Sequence, residues 1–368
     1  MLDFMIDCRR ALHRIPELDC ALEETCAYVK SRLAPLHCEI LEPTRGSVLA
    51  YFDEGKPDTL AFRADMDALP IQEQTGLPFA STHEGKMHAC GHDGHTAMLL
   101  GLSRLVEEKR GTLPHNVLLV FQPAEETTGG AKQICDSGIF EKLNVRCIFG
   151  FHLWPKLPLG EIYTRPGPMM AKSSETTLHI YGKSVHISRY REGLDTIEAA
   201  MRWLEEVYKR EKTLLPEETP RLLRFGRIEG GSVRNAVAAE TAVEGTLRAF
   251  TLEDFQKLRT LCEEVAAQVE QETGCRMELQ LSDGYPPVTN PPELVEQVAA
   301  YLGADAPKLL ETPVLSTEDF AWYQQYLPGM FMYLGVGDTE ELHSPKFAFD
   351  ESVFAKGLAM YEKLLYFK

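Results

Sequence analysis

Apolar runs and helical stripes alternate along the first 150 or so residues. Over 2–34, Phe4, Ile6, Ala11 and Leu12 form one helical stripe, Pro16 breaks it, and a second stripe runs from Leu22 to Leu33. The segments 38–41, 48–52 and 59–63 read as strands, and a helix is expected from Thr96 to about Lys109. The runs 116–121 and 145–151 are continuously apolar, as strands covered on both faces are. This alternation predicts an α/β domain.

The texture then changes. Residues 175–181 alternate apolar and polar, 194–210 carry a helical pattern, and 221–229 and 240–248 read as strands. A helix over 252–272 and a strand over 276–281 follow. The order β-α-β-β-α-β is that of the split, ferredoxin-like unit. Pro166-Gly-Pro168 and Gly284-Tyr-Pro-Pro287 flank it as hinges. From 291 the first texture returns. A helix runs to about Leu302, another opens at Ser316-Thr-Glu-Asp-Phe320, a strand covers 329–334, and a last helix reaches Phe367. The pattern thus predicts a discontinuous α/β domain, 1–171 and 286–368, interrupted by an α+β domain over 172–285.

Composition removes several function classes. The chain has 368 residues, 44% hydrophobic and 25% charged, which is ordinary for a globular protein with a sizeable core. Its net charge of -17, without a long basic run, argues against nucleic acid as a partner. No stretch approaches the ~20 apolar residues of a spanning helix, so no membrane partner is expected. Asp3 and Asp7 interrupt the apolar N-terminus, which does not read as a secretory signal. Nine cysteines without framework spacing suit a reducing cytosol, so a cytoplasmic protein is expected.

Chemistry collects where apolar strands end. Asp65 and Asp67 follow the run at 59–63, Glu125 and Glu126 that at 116–121, and His152 that at 145–151. Open α/β sheets place their sites at such carboxyl ends. The densest stretch is His88-Ala-Cys-Gly-His-Asp-Gly-His95, read as a loop leading into the helix at Thr96. Cys90 and His92 are one residue apart, so an extended loop can aim both the same way. With Glu126, His152 and His343 they offer sulfur, nitrogen and oxygen donors, a mix that suits Zn²⁺ best and also takes Mn²⁺, Co²⁺ or Ni²⁺. Five donors exceed the four of one tetrahedral zinc and favour two divalent ions. Neighbouring glutamates can divide the work, one binding metal and the other taking a proton from water.

These stretches, with Arg63-Ala-Asp-Met-Asp-Ala-Leu69, Phe121-Gln-Pro-Ala-Glu-Glu126 and Leu342-His-Ser-Pro345, resemble the N-acyl-L-amino acid amidohydrolases. These are the hippurate hydrolase, auxin-conjugate (IAA-amino acid) hydrolase and N-acetyldiaminopimelate deacetylase subfamily of the aminoacylase–carboxypeptidase G metallopeptidases. The resemblance covers nearly the whole chain in order. It implies a zinc-exopeptidase-like catalytic domain, with a mixed sheet covered by helices, and an inserted ferredoxin-like α+β domain serving as lid and dimerisation element. It implies metal ligation by Cys90, His92, Glu126, His152 and His343, with Glu125 as general base. Asp67 would orient a ligand. Asp65 stands where other branches of the clan keep a metal-binding histidine, and Asp93 and His95 would support rather than ligate. His186 would stabilise the oxyanion in the partner subunit's site of a homodimer, while Asn235 and Arg248 would bind the amide and carboxylate of an N-acyl amino acid. Many members carry a second histidine five residues after the first, where this chain has Arg191. Dipeptidase or carboxypeptidase activity on the same scaffold is the nearer alternative, and a non-catalytic metal-dependent binding protein the more distant one.

Overall fold

The continuously apolar runs become inner strands of an eight-stranded mixed sheet in the computed structural model, which describes residues 1–368. The sheet begins with β1 (Glu39–Leu41), β2 (Val48–Phe52), β4 (Asn116–Gln122), β3 (Thr59–Asp65) and β5 (Val145–Trp154), in that spatial order. Gly329–Gly335, Ile162–Thr164 and Lys308–Leu309 complete it. The central strands β4, β3, β5 and Gly329–Gly335 are parallel. Both β3 and β4 are buried along their whole length, which is why their sequences do not alternate. Helices α1 (Leu2–His13), α2 (Glu23–Leu33) and α3 (His92–Glu108) supply Met5, Cys8, Val29, Met98 and Leu102 to the core against this sheet. These elements belong to one compact unit, Met1–Gly167 with Thr289–Glu311 and Asp319–Lys368.

Four elements depart from the expectation, three because a polar side chain finds a partner and one because of a glycine turn. Strands β3 and β5 run past their apolar stretches to Asp65 and Trp154. Asp65 pairs with Arg63, and the His152 ring bonds the Leu153 carbonyl, so Asp65 and His152 stand within strands rather than beyond them. Helix α3 starts at His92 instead of Thr96, because Gly91 takes φ +85° and turns the chain straight into the helix. Cys90 and His92 are therefore brought together by a left-handed turn, not by an extended loop. The helix expected from Ser316 shrinks to a 3-10 turn, Asp319–Trp322, and one turn at Tyr323–Tyr326. Asp319 is held there by bonds from Gln122, Arg63 and the Ala131 N–H.

The start of α3 is clamped by a buried ionic network. The Arg9 Nε donates to Asp93 (3.0 Å), its Nη1 to Glu351 (3.0 Å), and its guanidinium lies over Phe349 and Phe79. The His13 Nδ1 lies 2.8 Å from Asp93, and its Nε2 3.3 Å from Glu73. Burial opposes a charge on His13, but Asp93, with Glu73 behind it, outweighs burial and pushes the pKa up to about 9. A value raised on folding gives stability that is complete below the unfolded pKa of about 6.5 and is lost as pH rises through about 9. A shift of this size corresponds to about 3 kcal/mol. The stability difference between wild type and His13→Gln, from urea unfolding, should therefore shrink across that window. A difference independent of pH would exclude a charged His13.

Pro168–Val288 and Thr312–Glu318 form a second unit. Its antiparallel sheet has the order Arg276–Leu281, Lys172–Tyr181, Glu240–Ala249, Arg221–Gly230. Numbered along the chain this is 4-1-3-2, the ferredoxin-like arrangement. Helices Thr196–Leu214 and Leu252–Thr273 pack Trp203, Val207, Leu258 and Val265 onto Leu178, Leu223, Val243 and Leu247. The stretch 312–318, which the sequence pattern assigns to the α/β domain, packs with this unit. Val314 N donates to the Met169 carbonyl, and Arg248 Nη1 to that of Leu315. No helix is long and apolar enough to cross a membrane.

Candidate metal centre

The loop leaving β4 is shaped by backbone constraints before any chemistry. Ala124 takes φ +57°, and its carbonyl accepts the N–H groups of Gly129 (2.9 Å) and Gly130 (3.2 Å). A side chain at Gly130 would place its Cβ 2.0 Å from the Pro123 carbonyl oxygen, so only glycine fits. The Asp67 carboxylate accepts both the Glu125 N–H and the Glu126 N–H, each at 3.0 Å. One acid just past β3 thus sets the direction of two acids past β4. Asp67 Oδ1, the oxygen that accepts the Glu125 N–H, also lies 3.5 Å from the His92 Nδ1.

Potential donor atoms converge around this loop in overlapping groups, each within 4.8 Å across. These are Cys90, His92 and His152; Cys90, Glu126 and His343; His92, Glu125 and Glu126; and Asp65, His92 and His95. The structure therefore brings together all five residues that sequence reasoning singled out as ligands. His152 Nε2 is 3.4 Å from Cys90 Sγ, and His343 Nε2 is 3.2 Å from Glu126 Oε1. His343 reaches in from a loop where it takes φ +65°, with its N–H on the Ala89 carbonyl. Its side chain is 51% exposed, whereas those of His92 and Glu126 are 0% and 10% exposed.

The chemistry of the donor set fits a divalent cation. Both ring nitrogens of His92 and Glu126 Oε1 are buried without a hydrogen bond. Leaving such groups unpaired costs about 1–3 kcal/mol each, and a bound cation would pair them. The carboxylates crowd the same space. Burial opposes charge on His92, but Asp65, Asp67 and Glu126 outweigh it and push its pKa up to about 10. Burial, reinforced by Glu126 and Glu125, drives the Cys90 thiol well above its ordinary value. Protons collect here because negative charge is in excess, and a cation would displace them.

Arg63, Gln122 and Asp319 escaped the sequence reading. Arg63 is fully buried, with Nη1 on Asp65 (2.7 Å), Nη2 on Asp319 (2.8 Å) and Nε on Gln122 (2.8 Å). The Asp319 N–H in turn lies 3.4 Å from Glu125 Oε1. The available signal was an arginine inside an apolar strand, which burial forces to find acids.

The remaining candidates lie in the second unit. His186 is exposed, and its Nδ1 lies 2.8 Å from the Ser188 hydroxyl and 3.3 Å from the Ser188 backbone nitrogen. Asn235 is also exposed, and its carbonyl accepts the Ile187 N–H at 2.9 Å, so these two segments are tied together. Arg248 gives Nη1 to the Leu315 carbonyl (2.6 Å) and keeps a buried Nε without a hydrogen bond. Arg191 is exposed, with its Nε 3.2 Å from the Tyr190 hydroxyl.

Known proteins resemble this chain in sequence and fold. A Staphylococcus epidermidis protein named an uncharacterized hydrolase is 33% identical over 374 residues, covering 99% of this chain and 98% of its own. The crystal structure of the Bacillus subtilis YXEP protein, described as a dinuclear metal binding peptidase of the M20 family, superposes with a TM-score of 0.86. It is 32% identical and covers 99% of this chain and 97% of its own. A Klebsiella pneumoniae aminobenzoyl-glutamate utilization protein shares the fold, with a TM-score of 0.68 at 20% identity over 98% of this chain and 94% of its own. The model of peptidase family M20/M25/M40 matches residues 61–366. The chain belongs to peptidase family M20/M25/M40.

Proposed function

We propose that the chain is a dinuclear metal-dependent amidase that removes the acyl group from N-acylated amino acids. The observation that carries this reading is the overlap of donor groups at Cys90, His92 and Glu126, with Glu125 turned in beside them. The Bacillus protein's description as a dinuclear metal binding peptidase supports two ions. Cys90, His92, Glu126, His152 and His343 would hold them, Zn²⁺ or Mn²⁺ first by donor type. Bound divalent ions supply an acidified water and polarisation of the scissile carbonyl.

The chain's own groups do the rest. Glu125 takes the proton of the attacking water as its oxygen bonds to the amide carbon. It then returns that proton to the nitrogen as the C–N bond breaks, releasing a carboxylate and a free amino acid. Asp67 keeps Glu125 and Glu126 aimed through their N–H groups. A ring N–H of His186 donates to the developing oxyanion. The Arg248 fork takes the substrate carboxylate, and Asn235 the amide.

A panel of N-acetyl amino acids and dipeptides, with and without chelator, tests the reading. Acetyl amino acids should be hydrolysed with the higher kcat/KM, and readdition of Mn²⁺ or Zn²⁺ should restore chelated enzyme. Cleavage of dipeptides alone would establish the peptidase reading that the Bacillus protein's description favours. Chelator-resistant turnover would remove the metal from the reaction.

The shared site of a homodimer has its own test. Mixing the inactive variants His186→Ala and Glu125→Gln, with subunit exchange, should restore activity, since one site of each mixed dimer keeps both residues. A mixture as inactive as its components would place His186 in its own subunit's site.

A further inference from the structure

We infer that His95 is a positioning residue that fixes the tautomer and ring orientation of His152 through the backbone of Leu153. The inference rests on the reading of His152 as a metal donor. His95 is 2% exposed, in the first turn of α3, and proximity alone groups it with His92 and Asp65 as a candidate ligand. Its hydrogen bonds say otherwise. Nδ1 lies 2.6 Å from Asp65 Oδ1, and an ionised carboxylate only accepts, so Nδ1 carries the proton. Nε2 lies 2.9 Å from the Leu153 backbone nitrogen, which only donates, so Nε2 spends its lone pair there. The ring is neutral, held in one tautomer, and has no lone pair left for a cation.

That accepted N–H belongs to the residue whose carbonyl His152 uses, one peptide group before it. The His152 Nδ1–H donates to the Leu153 carbonyl at 2.7 Å, which leaves the Nε2 lone pair facing Cys90 Sγ. Strand pairing does not hold Leu153 on this side, because β3 and β5 are in register only as far as Arg63 and Gly150. Leu153 is fully buried, so water does not take over the bond. His95 replaces the missing strand. Behind it, Asp65 is fixed by Arg63 at 2.7 Å, and its carbonyl by the Thr96 hydroxyl at 2.8 Å. Asp65 accepts from both Arg63 and His95, His95 accepts from the Leu153 N–H, and the Leu153 carbonyl accepts from His152. The Leu153 carbonyl is the direct partner of His152, and losing the support behind a ligand commonly changes metal affinity about 10–100-fold.

The two amides separate the two bonds of His95. His95→Gln sets an amide oxygen near the position of Nε2 and keeps the acceptor for Leu153, while His95→Asn keeps the donor to Asp65 and gives up that acceptor. The probe is Co²⁺, titrated into apoprotein and read by its visible spectrum, including the thiolate band from Cys90. The Gln variant should match wild type in affinity and spectrum, and the Asn variant should bind about 10–100-fold more weakly with an altered spectrum. A purely structural role would lower the melting temperature of both variants and leave affinity and spectrum alike, which overturns the inference. His152→Ala is the control on the underlying reading. Unchanged Co²⁺ binding in that variant removes His152 from the donors, whatever His95 does. Should the Asn variant not fold, ¹⁵N-histidine spectra of wild-type apoprotein decide. Nδ1–H tautomers at both His95 and His152 uphold the inference, and an Nε2 proton on His95 overturns it.

Discussion

Replacing Glu125 by Gln should leave the metal centre loaded and lower kcat about 10²–10⁴-fold, the usual contribution of a general base. The amide has the shape of the carboxylate but cannot take a proton from water. Its surroundings should survive the change. The Glu125 N–H stays on Asp67, and an amide oxygen can still accept the Asp319 N–H that lies 3.4 Å from Oε1. Glu126 keeps its own bond to Asp67 and its place beside His343. Metal content by elemental analysis and KM should therefore match wild type while turnover fails. A kcat within a few-fold of wild type would take the base role from Glu125, and loss of metal would recast the residue as a ligand.

Arg63→Met should cost about 3–5 kcal/mol of stability in urea unfolding, the range for removing one member of a buried ionic cluster. Arg63 has no exposed surface and neutralises two buried acids, Asp65 and Asp319, from opposite sides of one guanidinium. Methionine fills comparable space but leaves both carboxylates uncompensated. The exposed pair Lys30–Glu42 sets the contrast, because solvent screens it and its removal should change stability by less than about 1 kcal/mol. An Arg63→Met loss as small as that would mean the cluster relaxes into water.

Donor chemistry was legible because it belongs to residue types and to the places where apolar strands stop. Cys90, His92, Glu126, His152 and His343 could be singled out without coordinates, and so could the β-α-β-β-α-β order of the inserted unit. What stayed hidden depends on partners distant in sequence. Arg63 and Asp319 are 256 positions apart, and nothing local to either announces the other. The start of α3 at His92 turns on one left-handed glycine, and the aim of Glu126 and His343 on left-handed backbone at Ala124 and His343. Alanine rarely adopts that conformation, so at Ala124 the bonds of its carbonyl to Gly129 and Gly130 hold it there. For His95 the resemblance already implied support rather than ligation, but its partners, Asp65 and the Leu153 N–H, are seen only in the structure.

The clamp on α3 has a consequence for biosynthesis. Arg9 lies near one end of the chain, and its partner Glu351 is 342 positions later. The strand Gly329–Gly335, which pairs with β5 beside the donor residues, is also made late. The α/β unit therefore cannot be completed until Glu351 and the strand at 329–335 have left the ribosome. The second unit is almost continuous, lacking only 312–318 after residue 288, and can collapse while synthesis continues. During that interval the Cys90 thiol, the site histidines and the apolar strands β3, β4 and β5 are on the chain without their final cover. Yield in a cell should depend on chaperone capacity and on keeping nascent thiols reduced, more than the stability of the finished protein would suggest.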